Sequence, residues 1–234
     1  MGDGSLSTVF HAVLKKSGEE YALKVIDKIY IHRHKMTEAV IRERNIMDSF
    51  DSPLVVNLKF TFQDSQKLYM AMELHTAGDL FEQIQIRKPL SFKDAQTYAA
   101  EMVLILELLR QHRVVFRDFK PENLMVKKSG HLAITDFGCA KVIPSDDVHC
   151  SPNNEGAPDV AKAAEHTGEP APTDKRKITF VGTADYLSPE ILNNTSCTFG
   201  VDLWGLGCTV FQLISGVPPF RCDHKPLYIL TVLA

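Results

Sequence analysis

The sequence predicts an α+β fold in two lobes: a small antiparallel β lobe carrying one key helix, then a larger, mainly helical lobe. Three observations predict it. Residues 8–27 and 55–74 are rich in β-branched and aromatic residues and are broken by turn signals at Ser17-Gly18 and Asp64-Ser65. Between those two strand-rich regions, residues 36–50 place apolar side chains at helical spacing. From residue 78 the texture turns helical. The lobe boundary is expected at 73/74, giving a small lobe of residues 1–73 and a large lobe of residues 74–234. A cleft between two lobes is a favoured place for a ligand.

Taken in order, "TVFHAVLKK" and "EYALKVID" read as two strands around the Ser17-Gly18 turn. Over 36–50, Val40, Glu43, Arg44, Met47 and Phe50 fall on one stripe, and Pro53 follows the helix end. "VVNLKFTFQ" and "KLYMAMEL" read as two more strands. Farther on, Ala95, Ala99, Met102, Leu106 and Leu109 make a buried helical stripe. Residues 144–177 stand apart. They are rich in Pro, Ala, Asp, Glu and Gly and hold no aromatic residue, so they bury too little apolar surface to offset chain entropy. They read as a disordered insertion within a domain.

Composition bounds the function. At 44% hydrophobic and 24% charged, the 234 residues have apolar material for a sizeable core. A net charge of -3 gives no reason to expect nucleic acid or an anionic membrane surface as a partner. The five cysteines are odd in number and lack C-x-x-C spacing, which argues against a disulfide framework or a zinc site and for a reducing, cytoplasmic setting. The start has no apolar signal core, and "MGDGSL" has Leu6 where a myristoylation signal needs Ser or Thr. "AAEMVLILELL" is cut by Glu101 and Glu107 and is too short to span a bilayer.

The chemistry sits in "VVFRDFKPENLMV", residues 114–126, and "HLAITDFGCAK", residues 131–141. An Asp that can accept a hydroxyl proton, an Asn and an Asp that can hold Mg²⁺, and a Lys that neutralises charge form one set suited to phosphoryl transfer. Hard Mg²⁺ takes one or two carboxylates and completes its shell with substrate phosphates. R-D alone would read as a polar turn between core strands. R-D-x-K-x-x-N followed by D-F-G does not.

These motifs resemble those of eukaryotic protein kinase catalytic domains, and the resemblance covers nearly the whole chain apart from the insertion. It implies a bilobal kinase fold, Asp118 as catalytic base, Lys120 at the transferring phosphate, and Asn123 and Asp136 as Mg²⁺ ligands. "GDGSLSTV" resembles the Gly-rich loop, so that Gly2, Gly4, Ser5, Leu6, Ser7 and Val9 would close over ATP, with Ser7 where the third glycine usually falls. Lys24, on one strand face with Ala22 and Ile26, would pair with the α- and β-phosphates and with Glu43. "LYMAMELHTAGDL" resembles the adenine-holding strand and hinge. Met72 would be the gatekeeper, the backbone around Glu73, Leu74 and His75 would meet the ring, and Asp79 would reach the ribose. Ala22, Glu122, Met125 and Thr135 would complete the pocket.

"FVGTADYLSPE" resembles the end of an activation segment, with Thr183 supporting the substrate site and Glu190 as the acid of an A-P-E motif written S-P-E. "DLWGLGC" resembles the helix whose Asp202 braces the catalytic loop. Small-molecule phosphotransferases lack this segment, so a protein substrate is implied. Phe116 stands where the family usually has His or Tyr, and is expected to pack on Phe137.

Within the family the finer resemblance is to the AGC group, and to members that phosphorylate other AGC kinases. It implies activation by phosphorylation of Thr179, with Arg117 as the phosphate's bidentate partner. It also implies a small-lobe groove for a client's hydrophobic motif. Lys28, Ile31, Val40 and Leu68 would line that groove, and Arg44, Thr61 and Gln63 would receive a phosphate beside it. The same residues read as the outer face of helix 36–50 packed on the sheet. The chain opens inside the Gly-rich loop and stops before the last helices of the large lobe, where the usual Arg partner of Glu190 would lie. A kinase-like scaffold or fragment, and a different AGC kinase, therefore stand as alternatives.

Overall fold

The computed structural model describes residues 7–87, 89–143, 184–193 and 198–221. Gly2, Gly4, Ser5, Leu6, the insertion 144–177, Thr179 and Thr183 lie outside the described residues.

Four strands, β1 (Ser7–Val13), β2 (Glu20–Asp27), β3 (Leu58–Gln63) and β4 (Lys67–Glu73), form one antiparallel sheet in the order β1-β2-β4-β3. Both turn signals hold. Gly18 takes φ 74 between β1 and β2, a region that favours glycine. Asp64 closes the other turn, its Oδ1 accepting the N–H groups of Gln66 and Lys67, each at 2.7 Å. The register sets Lys24 opposite Met70 and Ala22 opposite Met72. Alternation then brings Ala22, Lys24 and Ile26 to one face.

That face meets two helices. Helix α1 (Lys28–Arg33) has no counterpart in the sequence reading. Its signal was Asp27, whose Oδ1 accepts the Tyr30 N–H at 2.9 Å as an N-cap. Helix α2 (Thr37–Asp48) lies within the expected 36–50 and buries Ala39, Val40, Glu43, Ile46 and Met47. Arg44 is exposed, so it does not belong to the inward stripe.

The large lobe is built on α3 (Leu80–Arg87), α4 (Phe92–Gln111), α5 (Pro189–Leu192) and α6 (Gly200–Ser215). The stripe on α4 is Ala95, Tyr98, Met102, Ile105 and Leu109, a 3-4-3-4 spacing. Ala99 and Leu106, expected in it, flank it and are only partly buried. Two short antiparallel ribbons present the polar motifs: β5 (Val114–Val115) with β8 (Lys141–Val142), and β6 (Leu124–Val126) with β7 (Leu132–Ile134).

One apolar core runs through both lobes, joining Met47, Phe50, Val56 and Met72 to Met102, Leu124, Ile134 and Phe137. Backbone bonds stitch the seam: Ile134 N–H donates to Leu54 C=O at 2.8 Å, and Val56 N–H to Ile134 C=O at 2.9 Å. No helix among the described residues is long and apolar enough to cross a membrane.

Met102 has no solvent exposure, whereas Val103, its neighbour on α4, is 51% exposed. Met102→Ala is expected to lower stability by about 2–5 kcal/mol. Val103→Ala should change it by less than about 0.5 kcal/mol. Urea midpoints at constant m-value compare the two, and equal losses would contradict the placement of the core.

Candidate active site

The loop that carries the candidate catalytic Asp118 hangs from α6. Asp202, 3% exposed, accepts the Phe116 N–H on Oδ2 at 2.8 Å and the Arg117 N–H on Oδ1 at 2.7 Å. Arg117 adopts a left-handed backbone at φ 67, and its Nε donates to the Cys139 carbonyl at 2.6 Å. Burial pushes the Asp202 carboxyl up to about 7, against the pull of the two N–H donors and of Arg117. Beneath the loop, Phe116 is fully buried. Its ring meets Phe137 edge-on at 5.2 Å and Phe119 at 6.4 Å.

Asp118 projects from this loop. Lys120 Nζ donates to both of its carboxylate oxygens, at 2.9 and 2.8 Å. Asn123 Nδ2 donates to the Asp118 carbonyl at 2.8 Å and to its Oδ2 at 3.0 Å. Burial raises the Asp118 pKa, opposed by Lys120 and Asn123. With its amide nitrogen committed to Asp118, Asn123 can offer a cation its amide oxygen.

Above the loop, Lys24 on β2 joins the two lobes. Its Nζ lies 2.5 Å from Glu43 Oε1 on α2 and 2.9 Å from Asp136 Oδ1, which follows β7. Burial works against the ammonium, but Asp136 and Glu43 outweigh it and raise its pKa. The same ammonium holds the Asp136 carboxyl below its usual range. Burial raises Glu43, against Lys24. Asp136 reaches this position through a left-handed backbone, φ 62 and ψ 73. A side chain at Gly138 would begin 3.5 Å from Asp136 Oδ1 and 3.7 Å from Glu43 Oε2.

Ser7, Val9, Ala22, Leu74, Met125 and Thr135 are partly buried, and Met72 is buried. The Glu73 N–H donates to the Asn57 carbonyl at 2.9 Å, so any bond Glu73 offers a base comes from its own carbonyl. At His75, Nε2 is buried with no hydrogen-bond partner among the described residues, and burial lowers the ring's pKa. Asp79 caps α3, its Oδ1 accepting the Glu82 N–H at 2.8 Å, and it bridges to Met125. Burial raises the carboxyls of both Asp79 and Glu122.

The expected docking surface is differently built. Ile31 and Val40 are 4% and 9% exposed and pack with Ile26 and Met70, with Leu68 against them. They form a small cluster in which α1, unforeseen in the sequence, and α2 pack on the sheet. The Lys28 ammonium is tied to the Asp64 carbonyl at 2.5 Å. Arg44, Thr61 and Gln63 are exposed.

Sequence reasoning missed Cys139. Burial, with Asp118 and Asp136 nearby, pushes its thiol up to about 12. Its position directly after D-F-G was the only signal.

An ammonium that ties two lobes together over an aspartate held on a rigid loop is the layout of a protein kinase catalytic domain. The Protein kinase domain family matches residues 1–231, and the chain belongs to that family. It is 41% identical over 233 residues to the 3-phosphoinositide-dependent protein kinase 1 of Arabidopsis thaliana, covering 100% of this chain and 44% of the relative. The human protein of that name is 38% identical over 235 residues, covering 100% and 37%. A RAC family serine/threonine-protein kinase homolog of Dictyostelium discoideum is 36% identical over 229 residues, covering 97% and 46%. The chain thus spans less than half the length of these relatives.

Asp202 supplies a pH test. Unfolded aspartate ionises near 3.8, whereas Asp202 holds its proton to about 7. The folded state binds more protons across that window, so this group's contribution to stability is lost as pH rises from about 4 to 7. Asp202→Asn removes the effect. Relative to wild type, the variant should gain stability with rising pH, by at most ~1.4 kcal/mol per unit, in urea titrations at several pH values. A relative gain on acidification would contradict the assignment.

Proposed function

We propose that this chain is a serine/threonine protein kinase domain, transferring the γ-phosphate of Mg-ATP to Ser or Thr hydroxyls of proteins. The observation that carries this reading is the joint geometry of Lys24 with Glu43 and Asp136, and of Asp118 with Lys120 and Asn123. Lys24 would orient the α- and β-phosphates, and Asp118, its pKa raised by burial, would take the acceptor proton. Lys120, within 2.9 Å of Asp118, would neutralise charge on the moving phosphoryl group.

The oxygen donors of Asn123 and Asp136 suit Mg²⁺. No cluster of three or more His, Cys, Asp or Glu that could hold a metal occurs among the described residues. Mg²⁺ held by Asn123 and Asp136 would complete its shell with water and substrate phosphates. Bound there, Mg²⁺ would neutralise phosphate charge.

The substrates we propose are activation segments of other AGC kinases, a reading that rests on the motif resemblance of the sequence. Arg117 stands beside Asp118 as the partner for a phosphate on Thr179. A client's phosphorylated hydrophobic motif would meet the exposed Arg44, Thr61 and Gln63. We propose the lobe boundary after β4, at 73/74.

Asp118→Asn is expected to lower phosphate incorporation into a client activation-loop peptide by about 10²–10⁴. Equal incorporation by both proteins would overturn the reading. Thermal stabilisation by ATP should require Mg²⁺. The absence of any shift would instead make the chain a kinase-like scaffold.

Arg44→Ala should raise KM for a client carrying the phosphorylated motif by about tenfold, the loss of one charge-assisted hydrogen bond. KM for the short peptide should stay unchanged. A parallel rise for both substrates would rule out this docking role.

A further inference from the structure

We propose that His75 is a proton-sensitive latch on the strap that joins the two lobes: neutral, it keeps the strap closed, and on taking up a proton it turns out to water and the strap opens. Residues 74–79 form that strap, between the end of β4 at Glu73 and the start of α3 at Leu80. Both of its ends are pinned. The Glu73 N–H donates to the Asn57 carbonyl at 2.9 Å, and the Val126 N–H donates to the Gly78 carbonyl at 2.9 Å. Beside the second anchor, Gln83 Nε2 donates to the Ala77 carbonyl at 2.9 Å. His75 lies between these anchors along the chain, and its Nε2 is buried with no hydrogen-bond partner among the described residues.

An imidazole so placed is tolerated only while neutral. A buried polar atom without a partner costs free energy, and a buried charge without one costs far more. Two charged side chains act on the ring: Glu73, on β4, favours a positive charge there, and Lys127, in the turn between β6 and β7, opposes one. Lys127 is itself held in place, its Nζ donating to the Pro53 carbonyl across the seam between the lobes. Burial is the largest effect, and with Lys127 it outweighs Glu73, so the ring's pKa lies below its ordinary 6.5.

Turned out to water, the ring regains its ordinary affinity for a proton. The open strap therefore binds more protons than the closed one, and the closed strap loses ground as pH falls through the ordinary imidazole range. The limit is about a tenfold rise in the opening equilibrium between pH ~7.5 and ~5.5. The strap also carries the backbone expected to meet a nucleotide base. The functional consequence of opening thus rests on the phosphotransfer reading, whereas the opening itself does not.

Hydrogen exchange of the whole chain at pH ~7.5, ~6.5 and ~5.5, corrected for the intrinsic pH dependence of exchange, reads the opening directly. On acidification the Glu73 and Val126 amides of wild type should lose protection, by up to about tenfold relative to His75→Leu. The Met102 and Ile105 amides on α4 should keep the same ratio between the two proteins. His75→Arg, charged at every pH, should show low strap protection at neutral pH and no further loss in acid.

Equal pH dependence in wild type and His75→Leu would overturn the proposal. So would a relative loss that reaches α4 equally, which marks unfolding of the whole chain. If His75→Leu does not fold, His75→Gln takes its place. The strap and α4 are also compared within wild type, and a strap whose protection does not fall in acid sinks the latch by itself. Added Mg-ATP separates the two readings. Protection of the strap by nucleotide, weaker in acid for wild type than for His75→Leu, supports both. No protection at any pH, with the acid-dependent opening intact, removes the nucleotide reading and leaves the latch standing.

Discussion

The Lys24 ammonium is the charge on which the architecture turns. Its side chain is 12% exposed, and taking such a charge out of water costs several kcal/mol unless partners meet it. Two carboxylates do so, and they come from different places: Glu43 from α2 in the small lobe, and Asp136 from the segment after β7 in the large one. Neither lobe could satisfy Lys24 twice by itself. Burial of one charge thus makes the position of α2, the course of the chain through Asp136 and the spacing of the lobes into a single condition. Such a cluster is a weak source of stability, since apolar residues of similar volume would often serve as well. What it fixes is geometry, and geometry is what phosphoryl transfer demands of a protein.

Asp202 imposes the matching condition from below. Arg117 spends roughly 1–2 kcal/mol on a left-handed backbone. The two N–H bonds to Asp202 contribute roughly 0.5–1.5 kcal/mol each. The terms are comparable, so the strained conformation is held at little net cost, but only while the Asp202 side chain is there. Lys24 sets where the phosphates would lie and Asp202 sets where Asp118 lies. The cleft is defined between a charge held from above and a loop held from below.

Sequence alone singled out the candidate catalytic residues because they are short-range patterns. R-D-x-K-x-x-N and D-F-G place Asp118, Asn123 and Asp136 within 19 positions, on loops between short apolar strands as expected; that those strands pair as two ribbons was not foreseen. The four strands of the sheet and most of the α2 stripe were legible from period and turn chemistry, but not the strand order, nor the exposure of Arg44. What was not legible depended on burial by an unforeseen element. Helix α1 has only six residues, too few for a periodic signal, and through it Ile31 packs with Val40 in a small cluster on the sheet. The stripe on α4 slipped by one position because Tyr98 was not counted among the apolar residues, although its ring is buried.

Phe116 follows from the same arrangement. His112, Phe50, Phe137, Phe116 and Phe119 form a continuous series of ring contacts from the end of α4 to the catalytic loop. Phe116 sits within it at no exposure, with aromatic edges on two sides. A ring with a polar tip would need a hydrogen-bond partner here, and leaving one unmet costs about 1–3 kcal/mol. Phenylalanine avoids that cost and still presses on Phe137. Phe137 in turn follows the left-handed Asp136, so the rings that fill this core also hold the backbone that aims Asp136 at Lys24. An apolar residue at the head of a polar loop thereby serves the charged cluster above it.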